Sequence, residues 1–207
     1  MVLPPLREAE TWFIDAARRA VRRGERLDAA ALSLVLTLAP HEAFVRGAID
    51  AVDAASAGHG LAALAHEVLE CLARGEEAPE LARDAVSALE ERILPAYVPG
   101  RGLGCLEDDV AVAHAMLAAY QYGRDETHLM MAEELMRTAV RRRWPELPEL
   151  PLAPVCEGAV VLDALGRATG NPEYSAAARS ALEAFASSYR ELGWRAAPFV
   201  RALKMIS

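Results

Sequence analysis

The chain has 207 residues, of which 53% are hydrophobic and 25% are charged. This composition is typical of a folded globular protein and argues against a disordered chain. The formal net charge at pH 7 is −8, from 22 basic and 30 acidic residues. Because a negative surface repels phosphate groups, this charge disfavours general binding to nucleic acids or to anionic membranes.

The cysteines and the apolar segments indicate the compartment. Cys71, Cys105 and Cys156 form no C-x-x-C pair, and an odd number argues against a disulfide framework. We expect all three to serve as small hydrophobic side chains. The N-terminal residues show no basic segment followed by an apolar core, and the longest apolar stretch, residues 29–39, is too short to span a bilayer. The sequence therefore predicts a cytoplasmic protein without a signal peptide.

Apolar residues at helical spacing follow one another along the whole chain. No alternating run bounded by hairpin turns is present, so no strand is predicted. In chain order, helices are expected over residues 7–23, 28–38, 41–55, 60–74, 79–93, 108–122, 126–143, 155–169, 172–192 and 194–206. Two long connections, the first rich in Gly and Pro and the second rich in Pro, cover residues 94–105 and 144–154. The pattern predicts an all-α protein of antiparallel helical hairpins with tight turns within the hairpins and long connections between them.

One pattern occurs three times, as a turn, a helix start, and then a large residue, Ala and Leu or Met at four-residue steps. Successive copies are 46 and 47 residues apart, which corresponds to two helices with their connections. We expect the first residue of each copy to pack beneath the preceding helix. The copies are Tyr174, Ala178 and Leu182; His128, Ala132 and Met136; and Leu81, Ala85 and Leu89.

The third copy in chain order carries a family resemblance. Residues 165–174, which read Leu-Gly-Arg-Ala-Thr-Gly-Asn-Pro-Glu-Tyr, resemble the six-hairpin glycosidase-like α/α toroids. They are most similar to the C-terminal toroid segment of the thioredoxin-domain proteins related to spermatogenesis-associated protein, as are residues 106–111 and 126–143. Two positions depart from that family. Val110 stands where it usually has an aromatic residue, and residues 154–158 (Pro-Val-Cys-Glu-Gly) differ from its Pro-Ser-Gly-Asn-like opening.

The resemblance implies a ring of helical hairpins over about residues 93–202. A complete six-hairpin ring has two helices in each hairpin, and only ten helices are predicted here. We therefore expect a toroid that is incomplete, remodelled or completed by a partner. The chain is expected to form a single all-α domain over residues 1–207, with poorly matched N-terminal hairpins over residues 1–93 and toroid-like hairpins over residues 94–207.

Three carboxylates are the candidate site residues. Asp108 and Asp109 follow Glu107 at the start of a predicted helix, just after the Gly-rich connection. We favour a capping role for them, which is worth about 0.5–2 kcal/mol for a helix. The alternative is that Asp108, Asp109 and Glu157 lie at the mouth of a toroid. There they would bind sugar hydroxyls or act as general acid and base, which requires carboxyl groups about 5–9.5 Å apart.

Other patterns give weaker indications. His114 follows Asp109 by five residues, a poor spacing for one helix face, so we expect a core or interface histidine. His41 and His66 each precede a Glu, but no H-E-x-x-H motif is present, so no metal site is predicted. The Gly-rich residues 100–104 lack the third glycine of a dinucleotide loop, and no cofactor is predicted.

Basic residues end two of the predicted helices. Arg141, Arg142 and Arg143 close the helix over residues 126–143, where positive charge complements the helix dipole. A solvated surface is the interpretation we favour, and an anionic partner is the alternative.

These observations leave two hypotheses about function. The first is a non-catalytic helical scaffold or protein-interaction domain derived from an α/α toroid, which binds a protein partner or forms a homo-oligomer. The second is a carbohydrate-binding or carbohydrate-processing toroid enzyme of glycosidase or epimerase type. An acidic pocket that holds the three carboxylates with Tyr97 or Trp144 would favour the enzyme. An exposed apolar flank would favour the scaffold.

Overall fold

The structure is a computed structural model, and it describes residues 2–40, 44–45, 60–75 and 78–206. These residues form nine α-helices and no strand, and Val98 and Gly102 form an isolated antiparallel bridge. The prediction of an all-α protein is confirmed. The helices are α1 (Leu6–Arg22), α2 (Ala29–Leu38), α3 (Leu61–Ala73), α4 (Pro79–Ala96), α5 (Leu106–Gly123), α6 (Glu126–Arg143), α7 (Leu152–Thr169), α8 (Pro172–Phe185) and α9 (Ala197–Ile206), with 3-10 helices at Trp144–Glu149 and Tyr189–Ala196.

Several helix boundaries differ from the prediction by three or more residues. α4 continues through Pro95 to Ala96, so the first connection begins only at Tyr97. The second connection, predicted over residues 144–154, contains a 3-10 helix at Trp144–Glu149, and α7 begins within it at Leu152. The helix predicted over residues 172–192 ends at Phe185, where the Ser188 hydroxyl donates to the Phe185 carbonyl at 3.5 Å. Such local serine bonds compete with helical ones.

The helix predicted over residues 41–55 lies outside the described residues, apart from helical residues 44 and 45. The His41-Glu42 pair lies outside them as well.

The chain divides into two compact units. One comprises residues 1–56, 151–156 and 179–207, and the other comprises residues 57–150 and 157–178. In the first unit, an aromatic cluster fixes α1, α9 and the second 3-10 helix. The Tyr189 ring stacks on Phe199 with centroids 4.8 Å apart and meets the edge of Trp12 at 5.1 Å. Trp194 Nε1 donates to Glu25 at 3.1 Å, which joins the 3-10 helix to the residues after α1.

The second unit, which we call the hairpin unit, contains α3 to α6, α7 from residue 157 and α8 to residue 178. α3 packs against α4 and α5, and α5 packs against α6. α7 lies close to α5 and α6 at Gly158, where an added Cβ would lie 3.2 Å from Val110 Cγ2 and 3.4 Å from Met136 Cε. The predicted array of helical hairpins is therefore confirmed, with α3, α5 and α7 as the first helices of three hairpins and α4, α6 and α8 as the second helices.

The repeated pattern joins the second helices to one another. His128 Nε2 on α6 lies 2.7 Å from Glu90 Oε1 on α4, and the Tyr174 hydroxyl on α8 donates to Glu133 on α6 at 2.8 Å. Both side chains therefore contact the equivalent helix of the previous hairpin. The contacted helix is the second one back along the chain, whereas the prediction named the preceding helix. Leu81 is 55% exposed, so its predicted packing is wrong. Among the described residues of the hairpin unit, α4 is the first of the second helices, so no equivalent helix of an earlier hairpin is described there for Leu81 to pack against.

The close contact of α7 with α8 gives a stability test. A Cβ at Gly166 would lie 2.6 Å from Ser175 Oγ and 3.3 Å from the Asn171 carbonyl oxygen. Because overpacking strains the contact, we expect Gly166→Ala to lower the free energy of unfolding by about 1–3 kcal/mol in urea titrations. Gly123→Ala is the matched control, since a Cβ there meets no atom within 4 Å. The control is expected to be neutral or stabilising by up to about 1 kcal/mol. Equal effects of the two changes would contradict close packing at Gly166.

Candidate functional site

The connection between α4 and α5 is a folded glycine loop, residues 97–105. Val98 and Gly102 exchange both backbone hydrogen bonds, at 3.0 and 2.9 Å. Gly100, Gly102 and Gly104 have φ angles of 71°, 71° and 102°, in the left-handed region that side chains disfavour. The glycines therefore allow a tight, defined turn at the start of α5, where the predicted acidic residues lie.

Asp109 supports this loop from below. Its carboxylate is 3% exposed and accepts a hydrogen bond from Leu103 N–H at 2.6 Å. The carboxylate lies so close to Gly102 that any Cβ at that position would overlap it. Only glycine therefore fits at residue 102 beside Asp109, and the carboxylate accepts a hydrogen bond from the protein's own backbone.

Two arginines at the end of α6 hold the other side of the loop. Arg142 donates to the Arg101 carbonyl at 3.0 Å, and Arg143 donates to the Gly104 carbonyl at 3.2 Å. We predicted that these arginines form a solvated surface, and this is correct only in part. Arg142 is exposed, but Arg142 and Arg143 each also donate a hydrogen bond to a backbone carbonyl of the loop. These contacts fasten the glycine loop to α6.

Burial raises the pKa of Asp109 from 3.8 to about 6. The Leu103 N–H bond and the positive charges of Arg143 and Arg142 act in the opposite direction, and the negative charge of Asp108 adds to the rise. Burial has the largest effect because the charged form loses its hydration under the loop. Asp109 therefore changes protonation close to neutral pH.

Asp108 caps a helix other than its own. Its Oδ1 accepts a hydrogen bond from Ala62 N–H at 2.9 Å, at the start of α3. Gly60 occupies the N-cap of α3 and has no side chain for this purpose. Asp108 therefore acts as a cap, but the capped helix is α3 of the previous hairpin and not α5, the helix in which Asp108 itself lies.

Cys105 is the N-cap of α5. Its Sγ accepts a hydrogen bond from Asp108 N–H at 3.4 Å, and the residue is exposed. The expectation that all three cysteines are small hydrophobes is therefore wrong for Cys105. It holds for Cys156, which is buried.

Glu157, at the start of the hairpin unit's part of α7, joins two histidines in a cluster that we call the His–Glu cluster (His66, His114 and Glu157). His114 Nδ1 lies 3.0 Å from Glu157 Oε1, and His66 Nε2 lies 3.7 Å from the same oxygen. His66 Nδ1 lies 2.7 Å from the Ala62 carbonyl oxygen and must donate to it, since a carbonyl only accepts. Each first helix of the hairpin unit thus contributes one residue.

The sequence prediction did not place the two histidines with Glu157. His66 and His114 are 48 residues apart along the chain, and His114 and Glu157 are 43 residues apart, both close to the spacing of the repeat. Equivalent positions on successive hairpins are expected to adjoin, so this spacing is the signal that could have found the cluster.

The three predicted carboxylates have different partners, namely the start of α3, the glycine loop and the two histidines. Tyr97 donates to Glu134 at 3.3 Å, and Trp144 lies beside Gly158 at 3.6 Å from the position of an added Cβ. Among the described residues, no group of three or more His, Cys, Asp or Glu side chains could hold a metal ion.

Comparisons with known proteins found no family model, no curated protein and no solved structure that matches this chain. The resemblance to the α/α toroids therefore stays a prediction from the residues. Within the described ranges, no helix has both the length and the hydropathy needed to cross a membrane.

Asp109 gives a prediction about pH. Between pH 3.8 and about 6 the folded protein keeps a proton on Asp109 that the unfolded chain releases. The resulting stabilisation is complete below pH 3.8 and is lost as the pH rises through 6. At about 1.4 kcal/mol for each pH unit, we expect the wild type to lose up to about 3 kcal/mol relative to Asp109→Asn between about pH 4 and 7. Asn keeps an oxygen that can accept the Leu103 N–H.

Urea unfolding at the two pH values measures this difference. Glu107→Gln is the control, because it removes an exposed carboxylate from the same turn and should leave the pH dependence of the wild type unchanged. Parallel pH profiles for the wild type and Asp109→Asn would contradict the raised pKa.

The cap on α3 gives a second prediction. Asp108→Ala removes the acceptor of Ala62 N–H, so we expect a loss of about 0.5–2 kcal/mol and faster amide hydrogen exchange at Ala62. Glu107→Ala is the control. It also removes one negative charge from the first turn of α5, but the exposed Glu107 side chain lies one position before the capping residue Asp108. Its exchange rate at Ala62 should stay that of the wild type. If both variants accelerate exchange at Ala62 equally, the effect comes from the loss of a nearby negative charge and the specific cap by Asp108 is contradicted.

Proposed function

We propose that this protein is a non-catalytic helical scaffold of the α/α-toroid type that binds another protein. The observation that carries the proposal is the use of the acidic residues. Asp108 holds the start of α3 and Asp109 holds the glycine loop, each through a backbone N–H group. A general acid or base must come within hydrogen-bond reach of a substrate, and Asp109 is covered by the loop.

The toroid type is supported by the first helices of the hairpin unit. His66 on α3 lies 3.7 Å from Glu157 on α7, while His114 on α5 lies 3.0 Å from the same carboxylate oxygen. Side chains of the three first helices therefore converge on one point, as side chains of the inner helices of a toroid would.

Binding to a protein is supported by exposed apolar side chains in the hairpin unit. Leu94 is 77% exposed and Val98 is 47% exposed. Large apolar side chains at the surface are typical of residues that a partner covers, either another protein or a second copy of this chain.

A second candidate function is a carbohydrate-processing enzyme, and the His–Glu cluster favours it. Where His114 Nδ1 donates to Glu157, the other ring nitrogen is left as an acceptor. An imidazole oriented by a carboxylate in this way can act as a general base. Glu157 is the only one of the three predicted carboxylates that is paired with such a group among the described residues.

Glu157→Gln and Asp109→Asn, each made in the full chain, separate the two functions. For the scaffold, we expect the melting temperature to shift by about 2–4 °C for each kcal/mol lost, and neither the wild type nor the variants to bind a glycan array or cleave chromogenic glycosides. Exposed Glu107→Gln is the matched control for a lost carboxylate. If the wild type binds or cleaves a glycan and Glu157→Gln loses this activity while it remains folded, the scaffold function is contradicted and the enzyme function is supported.

A further inference from the structure

We infer that the end of α4 and the tip of the glycine loop form a docking surface for an acidic, amphipathic protein segment. This inference rests on the proposed scaffold function and names its binding surface and the chemistry of its partner. We call the surface the arginine-rimmed patch, and it consists of Leu94, Pro95, Val98, Pro99, Arg101, Arg141 and Arg142.

The centre of the patch is apolar and exposed. Leu94 is 77% exposed and Val98 is 47% exposed, and both neighbouring prolines are exposed as well. The four residues follow one another within six positions, and the bridge from Val98 to Gly102 fixes the shape of the loop part. Because the backbone is already ordered, binding there would cost little conformational entropy.

The rim of the patch is positively charged. Arg142 reaches the Arg101 carbonyl at 3.0 Å, and the Arg141 guanidinium lies 3.7 Å from the position of an added Cβ at Gly100. All three arginines are exposed. Arg142 uses one guanidinium nitrogen on the loop, and a guanidinium has five N–H donors, so donors remain for a carboxylate.

Charge selects the class of partner. The rim is locally positive on a chain whose formal net charge is −8. Nucleic acid would be repelled by the whole molecule and would leave the apolar centre uncovered. A segment that presents apolar side chains flanked by Asp or Glu satisfies both the centre and the rim, since complementary charges set the orientation and the apolar side chains are desolvated.

The test uses labelled peptides of about 16 residues, in which Leu at helical spacing alternates with Glu on the flanking positions. Isomers with Gln or Lys in place of Glu are the charge controls. By fluorescence anisotropy, we expect the Glu peptide to bind the full chain at least about tenfold more tightly than the Gln peptide. This preference should shrink between about 50 mM and about 300 mM salt.

Variants of the full chain locate the surface. We expect Leu94→Ser and Arg141→Gln each to weaken the Glu peptide by about tenfold. Met130→Ser and Arg83→Gln are matched controls, because they remove an exposed apolar and an exposed basic side chain elsewhere and should leave the affinity unchanged. Melting curves confirm that each variant is folded.

Four outcomes would overturn the inference. Loss of binding in Met130→Ser but not in Leu94→Ser would place the surface elsewhere and leave the scaffold function standing. Leu94-dependent binding to phosphatidylserine vesicles, without peptide binding, would make the patch a membrane contact. Leu94-dependent dimers in sedimentation, without peptide binding, would make it a contact between copies. No binding of any peptide up to about 1 mM, together with Glu157-dependent glycan binding, would remove both the patch and the scaffold function.

Discussion

Contacts between equivalent helices of neighbouring hairpins are the interaction on which the hairpin unit depends. A single pair of helices cannot bury its apolar faces alone, so each hairpin needs the next one. The second helices meet through His128 and Glu90 and through Tyr174 and Glu133. The first helices meet through the His–Glu cluster. Polar side chains therefore set the position of one hairpin on the next, while small buried residues such as Ala132 and Ala178 allow the close approach.

The glycine loop shows how such a framework presents a surface. A buried carboxylate below the loop and two arginines beside it bind backbone groups, so the loop keeps its shape although its apolar residues face water. Burying a carboxylate is costly, and the raised pKa of Asp109 is a direct consequence of that cost. The buried Asp109 carboxylate lowers the stability of the folded protein but holds the glycine loop in one conformation. This arrangement is expected where a loop has a binding role.

Features with local causes could be predicted from the sequence, and features with distant causes could not. Helical spacing and local caps such as Asp125, which accepts from Thr127 N–H at 2.9 Å, gave the helices of the hairpin unit within a few residues. Asp108 caps a helix, but that helix is α3 on another hairpin, and sequence spacing alone does not show which helices adjoin. Asp109 binds Leu103 N–H in the glycine loop and caps no helix.

The cap that Asp108 places on α3 ties the first turn of one helix to a residue 46 positions later in the chain. During synthesis, α3 leaves the ribosome well before its acceptor exists, and Gly60 offers no substitute. The N-terminal turn of α3 therefore gains this cap only after the second hairpin has emerged and docked, so the full stability of the first hairpin depends on the second.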